Sequence, residues 1–180
     1  NRLTRNVLAM VLPYPERFRA SLHAARLGRP FAGLFKAIAP LKAFGAMLDL
    51  APKTIERPSA FSEPGTHAPV SEKRGRVAIL TGCAQLVLKP GINEATIRLL
   101  TRLGVEVVVP EGEGCCGALV HHMGREEQSM SDARRNVDAW TRQIDRGGLD
   151  AIIITASGCG TTVKDYGWML REDPAYAEKA

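Results

Sequence analysis

The sequence lacks any apolar run that could cross a membrane. Its most apolar window, residues 31–50, is interrupted by Lys36, Pro40, Lys42 and Asp49, whereas a transmembrane helix needs about 20 consecutive, mostly apolar residues. No secretory signal is present either. We therefore expect a cytoplasmic protein rather than an integral membrane or exported one.

Acidic residues are scarce in the first 50 positions, where eight basic residues are balanced only by Glu16 and Asp49. The eight are Arg2, Arg5, Arg17, Arg19, Arg26, Arg29, Lys36 and Lys42. This excess is typical of a segment that meets an anionic membrane surface or an acidic protein. Because no repeated pattern of Lys and Arg with stacking aromatic residues is present, we predict no nucleic-acid partner.

Cysteine is also rare, with only Cys83, Cys115, Cys116 and Cys159 in the chain of 180 residues. Four cysteines in a chain of this length without a secretory signal indicate metal binding or redox chemistry rather than a disulfide scaffold. The sequence contains no clear proton-transfer pair and no Ser–His–Asp ordering. We therefore predict no catalytic residue here.

The chain divides into three regions that differ in residue composition and in the spacing of their apolar residues. Residues 1–50 place apolar residues such as Phe18, Leu22 and Ala25 at helical spacing, with prolines between the helices. They predict two or three short helices in an arm that packs on a neighbouring domain, with a membrane-surface arm as the alternative. Residues 51–75 are rich in proline and predict a loop. Residues 76–180 predict a domain.

Within residues 76–180, short apolar strands alternate with helices. RVAILT (76–81), VEVVV (105–109) and AIIIT (151–155) predict strands. Helices are predicted over 90–103, behind a capping box at Ser129 and Asp132, and from Thr161 onward. Strands that are apolar throughout are typical of parallel sheets buried on both faces. The sequence therefore predicts an α/β fold: a Rossmann-like parallel sheet with flanking helices, preceded by the helical arm.

Each predicted strand is followed by cysteine: Cys83 after the first, Cys115 and Cys116 after the second, Cys159 after the third. Strand ends of one polarity share one edge of a parallel sheet, so we expect the four thiols to converge there. Thiolates are soft ligands that suit an iron–sulfur cluster or zinc. The alternative is that they are buried, inert thiols.

Glycines flank every cysteine, and we expect their N–H groups to approach the sulfurs. They are Gly82, Gly114, Gly117, Gly158 and Gly160.

Other interpretations of the same segment are weaker. Gly112, Gly114 and Gly117 match a dinucleotide-binding pattern, but Glu111 and Glu113 would repel a pyrophosphate. A disulfide between the adjacent cysteines would leave the other two unexplained. His121 and His122 follow the pair by one turn, and we expect them beside the site rather than among its ligands.

The motifs GC (82–83), GCCGA (114–118) and SGCG (157–160) resemble the cysteine-rich CCG domain. Longer stretches are similar to the iron–sulfur subunits of glycolate oxidases: VLPYPERFR (11–19), LDLAP (48–52), ARRN (133–136) and KDYG (164–167). The resemblance implies a fragment: residues 1–50 as a helical linker, 51–75 as a loop and 76–180 as the first of two CCG domains. Other iron–sulfur domains would then lie elsewhere in the full-length chain.

The resemblance also implies a function. The chain would be part of an oxidoreductase subunit that passes electrons from a flavin subunit, which carries FAD and oxidises glycolate, to an acceptor. Peripheral contact with the inner face of the cell membrane would accompany it. Cys83, Cys115, Cys116 and Cys159 would hold a cluster of the 4Fe-4S type, or zinc. Thr162 stands where the family pattern has a fifth cysteine. The alternatives are a nonredox docking module, with zinc or no metal, and a thiol redox module of the heterodisulfide-reductase kind.

Overall fold

The structure, a computed structural model, describes residues 2–180. Its four-stranded sheet has the order β1-β3-β2-β4. The strands are β1 (Gly65–His67), β2 (Gly75–Leu80), β3 (Val105–Val109) and β4 (Ala151–Ile154). β2 is central and pairs in parallel with β3 and with β4. The α/β fold predicted from the sequence is therefore confirmed, and its three apolar strands are parallel.

The sheet is mixed rather than wholly parallel, because β1 pairs antiparallel with β3 through Gly65–Val109 and His67–Val107. This strand lies in the segment predicted as a loop. Three residues without apolar alternation give no strand pattern of their own. The pairing depends on the free edge of β3.

Helices cover both faces of the sheet. They are α5 (Ala84–Leu88), α6 (Gly91–Arg102), α7 (Ala118–His122), α8 (Glu126–Gly147), α9 (Ser157–Lys164) and α10 (Tyr166–Met169). Alternate residues of β2 point to opposite faces. Val77 and Ile79 pack with Ile97 of α6, and Ala78 and Leu80 pack in the cluster that contains Val137 and Trp140 of α8.

Two predicted helix starts were wrong. α8 begins at Glu126, so Ser129 and Asp132 lie buried inside it rather than capping it. The last predicted helix begins at Ser157, four residues before Thr161. α5 is a single turn too short to give a periodic signal, and it was missed.

Residues 2–50 are helical, but they form four α-helices rather than the two or three predicted: α1 (Arg2–Val11), α2 (Pro15–Gly28), α3 (Ala32–Ala37) and α4 (Lys42–Leu50). Pro30 and Pro40 lie in 3-10 turns between them, where the missing N–H costs little. No helix within residues 2–180 combines the length and the apolar character needed to cross a bilayer.

Candidate metal centre

The four thiols lie together at the edge where β2, β3 and β4 end. Cys83 precedes α5, the cysteine pair lies in the turn before α7, and Cys159 lies in the first turn of α9. The Sγ atoms of Cys83 and Cys115 are 3.5 Å apart. The thiol of Cys116 is hydrogen-bonded to those of Cys115 and Cys159. Three separate turns thus deliver sulfur to one place.

All four cysteines are free thiols. Within residues 2–180, no three His, Cys, Asp or Glu side chains are grouped like the ligands of a single metal ion. The two findings agree because the four thiols lie near enough to affect one another, with Cys83 and Cys115 in contact at 3.5 Å, without forming the ligand group of one ion. The donors are together, but a preformed single-ion site is not.

The pair is buried, with Cys115 3% and Cys116 2% exposed, whereas Cys83 and Cys159 are partly exposed. The latter two line a crevice of about 80 Å³ between the ends of β2 and β4. The chain leaves β2 toward β3 on one side and later reaches β4 on the other. Such a reversal of strand order is where open α/β sheets bind ligands.

The surroundings lower the pKa values of Cys115 and Cys159 and raise those of Cys83 and Cys116. Hydrogen bonds from Cys116 and Cys83, the Gly117 N–H 3.5 Å from Sγ, and the Arg135 guanidinium lower the pKa of Cys115 to about 3. In return, their hydrogen bonds to Cys115 raise the pKa values of Cys83 and Cys116. A hydrogen bond from Cys116 lowers the pKa of Cys159. Hydrogen bonds from neighbouring thiols therefore favour the thiolate forms of Cys115 and Cys159.

Backbone N–H groups approach three sulfurs, but only one belongs to a predicted glycine. Gly117 donates to Cys115, whereas Ala84 and Ala118 donate to Cys83 and Cys116. The donors are the first residues of α5 and α7 and the N-cap of α7, so helix geometry rather than glycine selects them.

Gly117 is also required for space. Its φ of +82° is left-handed, and a Cβ there would lie 2.9 Å from the Ser129 Oγ of α8. Gly82 has φ of +72°, and a Cβ at Gly114 would meet the Arg135 guanidinium at 2.6 Å. Around Gly158 and Gly160 a Cβ would meet nothing within 4 Å, so close packing does not require them.

Thr162 and His121 lie apart from the thiol contacts. Thr162 is buried on α9, and its Oγ1 donates to the Gly158 carbonyl at 3.2 Å. His121 lines a separate cleft of about 840 Å³ with Met130 and Trp168. The ring of His121 stacks edge-on against that of His122.

A buried polar network joins the turns after β2 and β4. Asn93 of α6 is fully buried, and its Nδ2 donates to the Thr81 carbonyl at 2.9 Å. Gln85 Nε2 donates to Asn93 Oδ1 at 2.6 Å and to Thr155 Oγ1 at 2.5 Å. These bonds fix the backbones that carry Cys83 and Cys159. No sequence pattern predicts them, because an isolated amide side chain belongs to no motif.

The turn after β3 is tied to the same network through Glu113. Its Oε1 accepts from the N–H of Thr81 at 2.9 Å and from the Thr81 hydroxyl at 2.7 Å. Burial raises the pKa of Glu113 to about 7 against these two bonds. The residue that disfavours a pyrophosphate here links two cysteine-bearing turns.

Two further residues were missed, Asn136 of α8 and Tyr166 of α10, which bind the carbonyls of Cys115 and Cys116. A signal for them existed: Asn136 ends the ARRN stretch and Tyr166 lies in KDYG, two of the stretches that carry the family likeness.

Comparisons with known proteins find related sequences. The chain is 40% identical over 181 residues to the glycolate oxidase iron-sulfur subunit of Escherichia coli, covering 99% of this chain and 39% of that protein. It is 33% identical to a probable glycolate oxidase iron-sulfur subunit of Bacillus subtilis over 62% of this chain and 24% of that protein. Lactate utilization protein A of Bacillus licheniformis is 30% identical over 58% of this chain and 42% of its own length.

The chain thus spans about a quarter to two fifths of the length of these relatives. No solved structure gives a significant match. Residues 77–164, which contain all four cysteines, match the family model of the cysteine-rich CCG domain. This segment of the chain therefore belongs to the CCG cysteine-rich domain family.

Proposed function

We propose that this chain is part of an iron–sulfur subunit of a glycolate or other 2-hydroxy acid oxidase. A flavin-containing partner subunit carrying FAD would oxidise the hydroxy acid, and electrons would pass through this chain toward an acceptor. The single observation that supports this most strongly is the meeting of four free thiols at one edge of the sheet. The hydride chemistry belongs to the flavin.

The residues fit an iron–sulfur cluster by the chemistry of their donors. Three of the four sulfurs face backbone N–H groups, those of Ala84, Gly117 and Ala118, and the lowered pKa of Cys115 favours its thiolate form. Thiolates with N–H donors are the usual surroundings of such clusters. Cys83, Cys115, Cys116 and Cys159 would hold a cluster of the 4Fe-4S type, which supplies one-electron transfer. The side chains would have to separate from their present contacts to admit it.

The protein's own groups contribute binding and electrostatics. The lowered pKa of Cys115 favours its thiolate, and the N–H groups stabilise negative charge on the sulfurs. The buried network around Asn93 and Glu113 holds the cysteine-bearing turns in position relative to one another. No residue here is assigned a proton-transfer step.

The test uses the full-length chain with its partner subunit, purified without oxygen, for iron and sulfide analysis and EPR after reduction. Cys115→Ser should lose about four iron and four sulfide atoms per chain relative to the parent, with one EPR signal removed. Ser21→Ala on α2 is the control and should lose none. Unchanged iron in Cys115→Ser would contradict the proposal.

The same preparation distinguishes the alternatives. Stoichiometric zinc in place of iron would overturn the proposal in favour of a structural docking module. A chain without metal that cycles between thiol and disulfide would overturn it in favour of a thiol redox module. The 3.5 Å contact of Cys83 with Cys115 is the observation that favours this second candidate.

We also propose a peripheral contact with the anionic inner face of the cell membrane, in an otherwise cytoplasmic complex. The segment from α2 to α4 exposes large apolar side chains: Leu27, Phe31, Leu34, Ile38, Leu41, Phe44, Met47 and Leu50. Arg26, Arg29, Lys36 and Lys42 lie among them, with Asp49 paired to Lys36. Apolar and basic side chains together suit an interfacial segment.

Flotation of the full-length protein with vesicles tests this contact. Binding to phosphatidylglycerol vesicles that weakens in high salt and in Lys42→Glu is expected, with little binding to phosphatidylcholine. No binding to either vesicle would contradict it, and the face would then belong to a protein contact.

A further inference from the structure

We infer that Asn136 and Tyr166 are positioning residues for the cysteine pair, and that they set the electrostatic field at the sulfurs through the two peptide carbonyls that they bind. The inference rests on the proposed function where it concerns a bound cluster. It goes beyond that function by assigning two side chains that touch no sulfur.

The hydrogen bonds of the Asn136 side chain go to the turn that carries the cysteine pair and to Tyr166. It lies in α8 and is fully buried. Its Oδ1 accepts from the Gly114 N–H at 2.9 Å, and its Nδ2 donates to the Cys115 carbonyl at 3.0 Å. Nδ2 also donates to the Tyr166 hydroxyl at 3.1 Å. The amide thus binds the Gly114 N–H before the pair and the Cys115 carbonyl within it.

Tyr166 continues the chain of bonds to the second cysteine. It begins α10 and is 2% exposed. Its hydroxyl, which accepts from Asn136, donates to the Cys116 carbonyl at 2.9 Å. The ring stacks near Trp140, with ring centroids 6.1 Å apart. Bonds linked in series polarise one another, so the two side chains act as a unit.

The two carbonyls that Asn136 and Tyr166 bind are those of the two adjacent cysteines. The two carbonyls belong to buried residues, and an unpaired buried carbonyl is costly. Donors on both carbonyls also reduce the negative potential beside the sulfurs. Because reduction adds negative charge to a cluster, removing a donor should disfavour the reduced state.

The first test compares Tyr166→Phe with Tyr176→Phe in the full-length chain prepared without oxygen. Tyr176 is the matched control, because its hydroxyl donates to Asp138 on the surface of α8, at 2.8 Å. We expect both variants to retain iron. The reduction potential of one cluster should become more negative in Tyr166→Phe only. Retained iron with an unchanged potential would overturn the inference and leave Tyr166 a purely structural role.

A second measurement keeps the inference testable without a cluster. In the metal-free chain, alkylation by iodoacetamide should reach Cys115 and Cys116 faster relative to Cys83 in Tyr166→Phe and in Asn136→Asp, because the pair's backbone is released. An unchanged ratio of labelling in folded variants would overturn the positioning role. Absence of iron from the parent protein would instead contradict the proposed function and leave this measurement valid.

Discussion

Cys115 has two thiol neighbours, and they are not equivalent partners for oxidation. Cys83 lies 3.5 Å away across the site, whereas Cys116 is adjacent in the chain. Adjacent Cα atoms across a trans peptide are about 3.8 Å apart, below the usual separation for a disulfide, about 4.4–6.8 Å. No cis peptide is present in residues 2–180. Geometry therefore favours Cys83.

We expect the metal-free chain treated with hydrogen peroxide to form a Cys83–Cys115 disulfide. The two thiols lose two protons and two electrons to form the S–S bond, and these reduce one peroxide to two waters. Peptide mapping under nonreducing conditions detects the link. Cys83→Ser should abolish it. A dominant Cys115–Cys116 link would show that the site rearranges before it oxidises.

Asp132 of α8 is a buried carboxylate whose pKa makes the stability of the fold depend on pH. It is 7% exposed, its Oδ1 pairs with Arg135 at 2.8 Å, and its Oδ2 has no hydrogen-bond partner. Burial, opposed by Arg135 and reinforced by Cys115, raises the pKa of Asp132 from 3.8 to about 6. The folded state therefore holds this proton at higher pH than the unfolded state.

The direction in which stability changes with pH follows from proton linkage. Between about pH 4 and pH 6 the folded chain binds more protons, so the contribution of Asp132 to stability falls as pH rises through that window. Asp132→Asn should flatten this part of the curve of unfolding free energy against pH. Chemical denaturation of the metal-free chain at several pH values measures it. An identical slope in both proteins would refute the assignment.

At the scale of elements, α3 and α4 form a close helical hairpin. Gly45 makes the approach possible, because a Cβ there would lie 2.8 Å from the Ala32 carbonyl oxygen and 2.9 Å from the Lys36 nitrogen. Backbone atoms cannot move aside as a flexible side chain can. The rings of Phe35 and Phe44 pack edge-to-face, with centroids 5.3 Å apart.

Gly45→Ala should therefore destabilise the hairpin by about 1–3 kcal/mol, the usual effect of overpacking. Gly33→Ala in α3 is the matched control, since its Cβ would meet nothing within 4 Å. It should be neutral or stabilise the helix by up to about 1 kcal/mol. Hydrogen exchange of the hairpin amides reports both. Equal protection in the two variants would contradict the close approach.

At the scale of the whole molecule, the helical arm of residues 2–50 packs against the edge of the sheet where the four thiols lie. Phe18 and Leu22 of α2 pack with Val87 of α5, the helix that begins immediately after Cys83. Arg19 adds a bond from its Nη2 to the Leu86 carbonyl at 3.4 Å. The arm therefore contacts the element that holds one thiol.

Phe18→Ala should destabilise the chain by about 3 kcal/mol, because Phe18 is only 9% exposed and its loss leaves a cavity. Alkylation of Cys83 in the metal-free chain should become faster as α5 loosens. Phe44→Ala, at a residue 49% exposed, should cost about 1 kcal/mol and leave the labelling of Cys83 unchanged. Equal effects on Cys83 would show that the arm does not support α5.

The sequence by itself determined the three parallel strands and the position of each cysteine behind one of them. Both follow from local patterns: runs such as VEVVV are apolar throughout, and glycines interrupt the chain where the strands end. The domain boundaries at 50 and 75 and the role of the cysteines as ligands stay predictions, because neither follows from local pattern or burial.

Only the tertiary structure decided which groups meet. β1 becomes a strand because β3 offers an edge, and Asn93, Asn136 and Tyr166 acquire their roles across 12 to 50 positions of sequence. Buried polar atoms must find partners wherever the fold brings them, and single-residue composition does not encode that distance. The contact of Cys83 with Cys115 is likewise decided by the tertiary structure, because the strand order places the turns after β2 and β3 side by side.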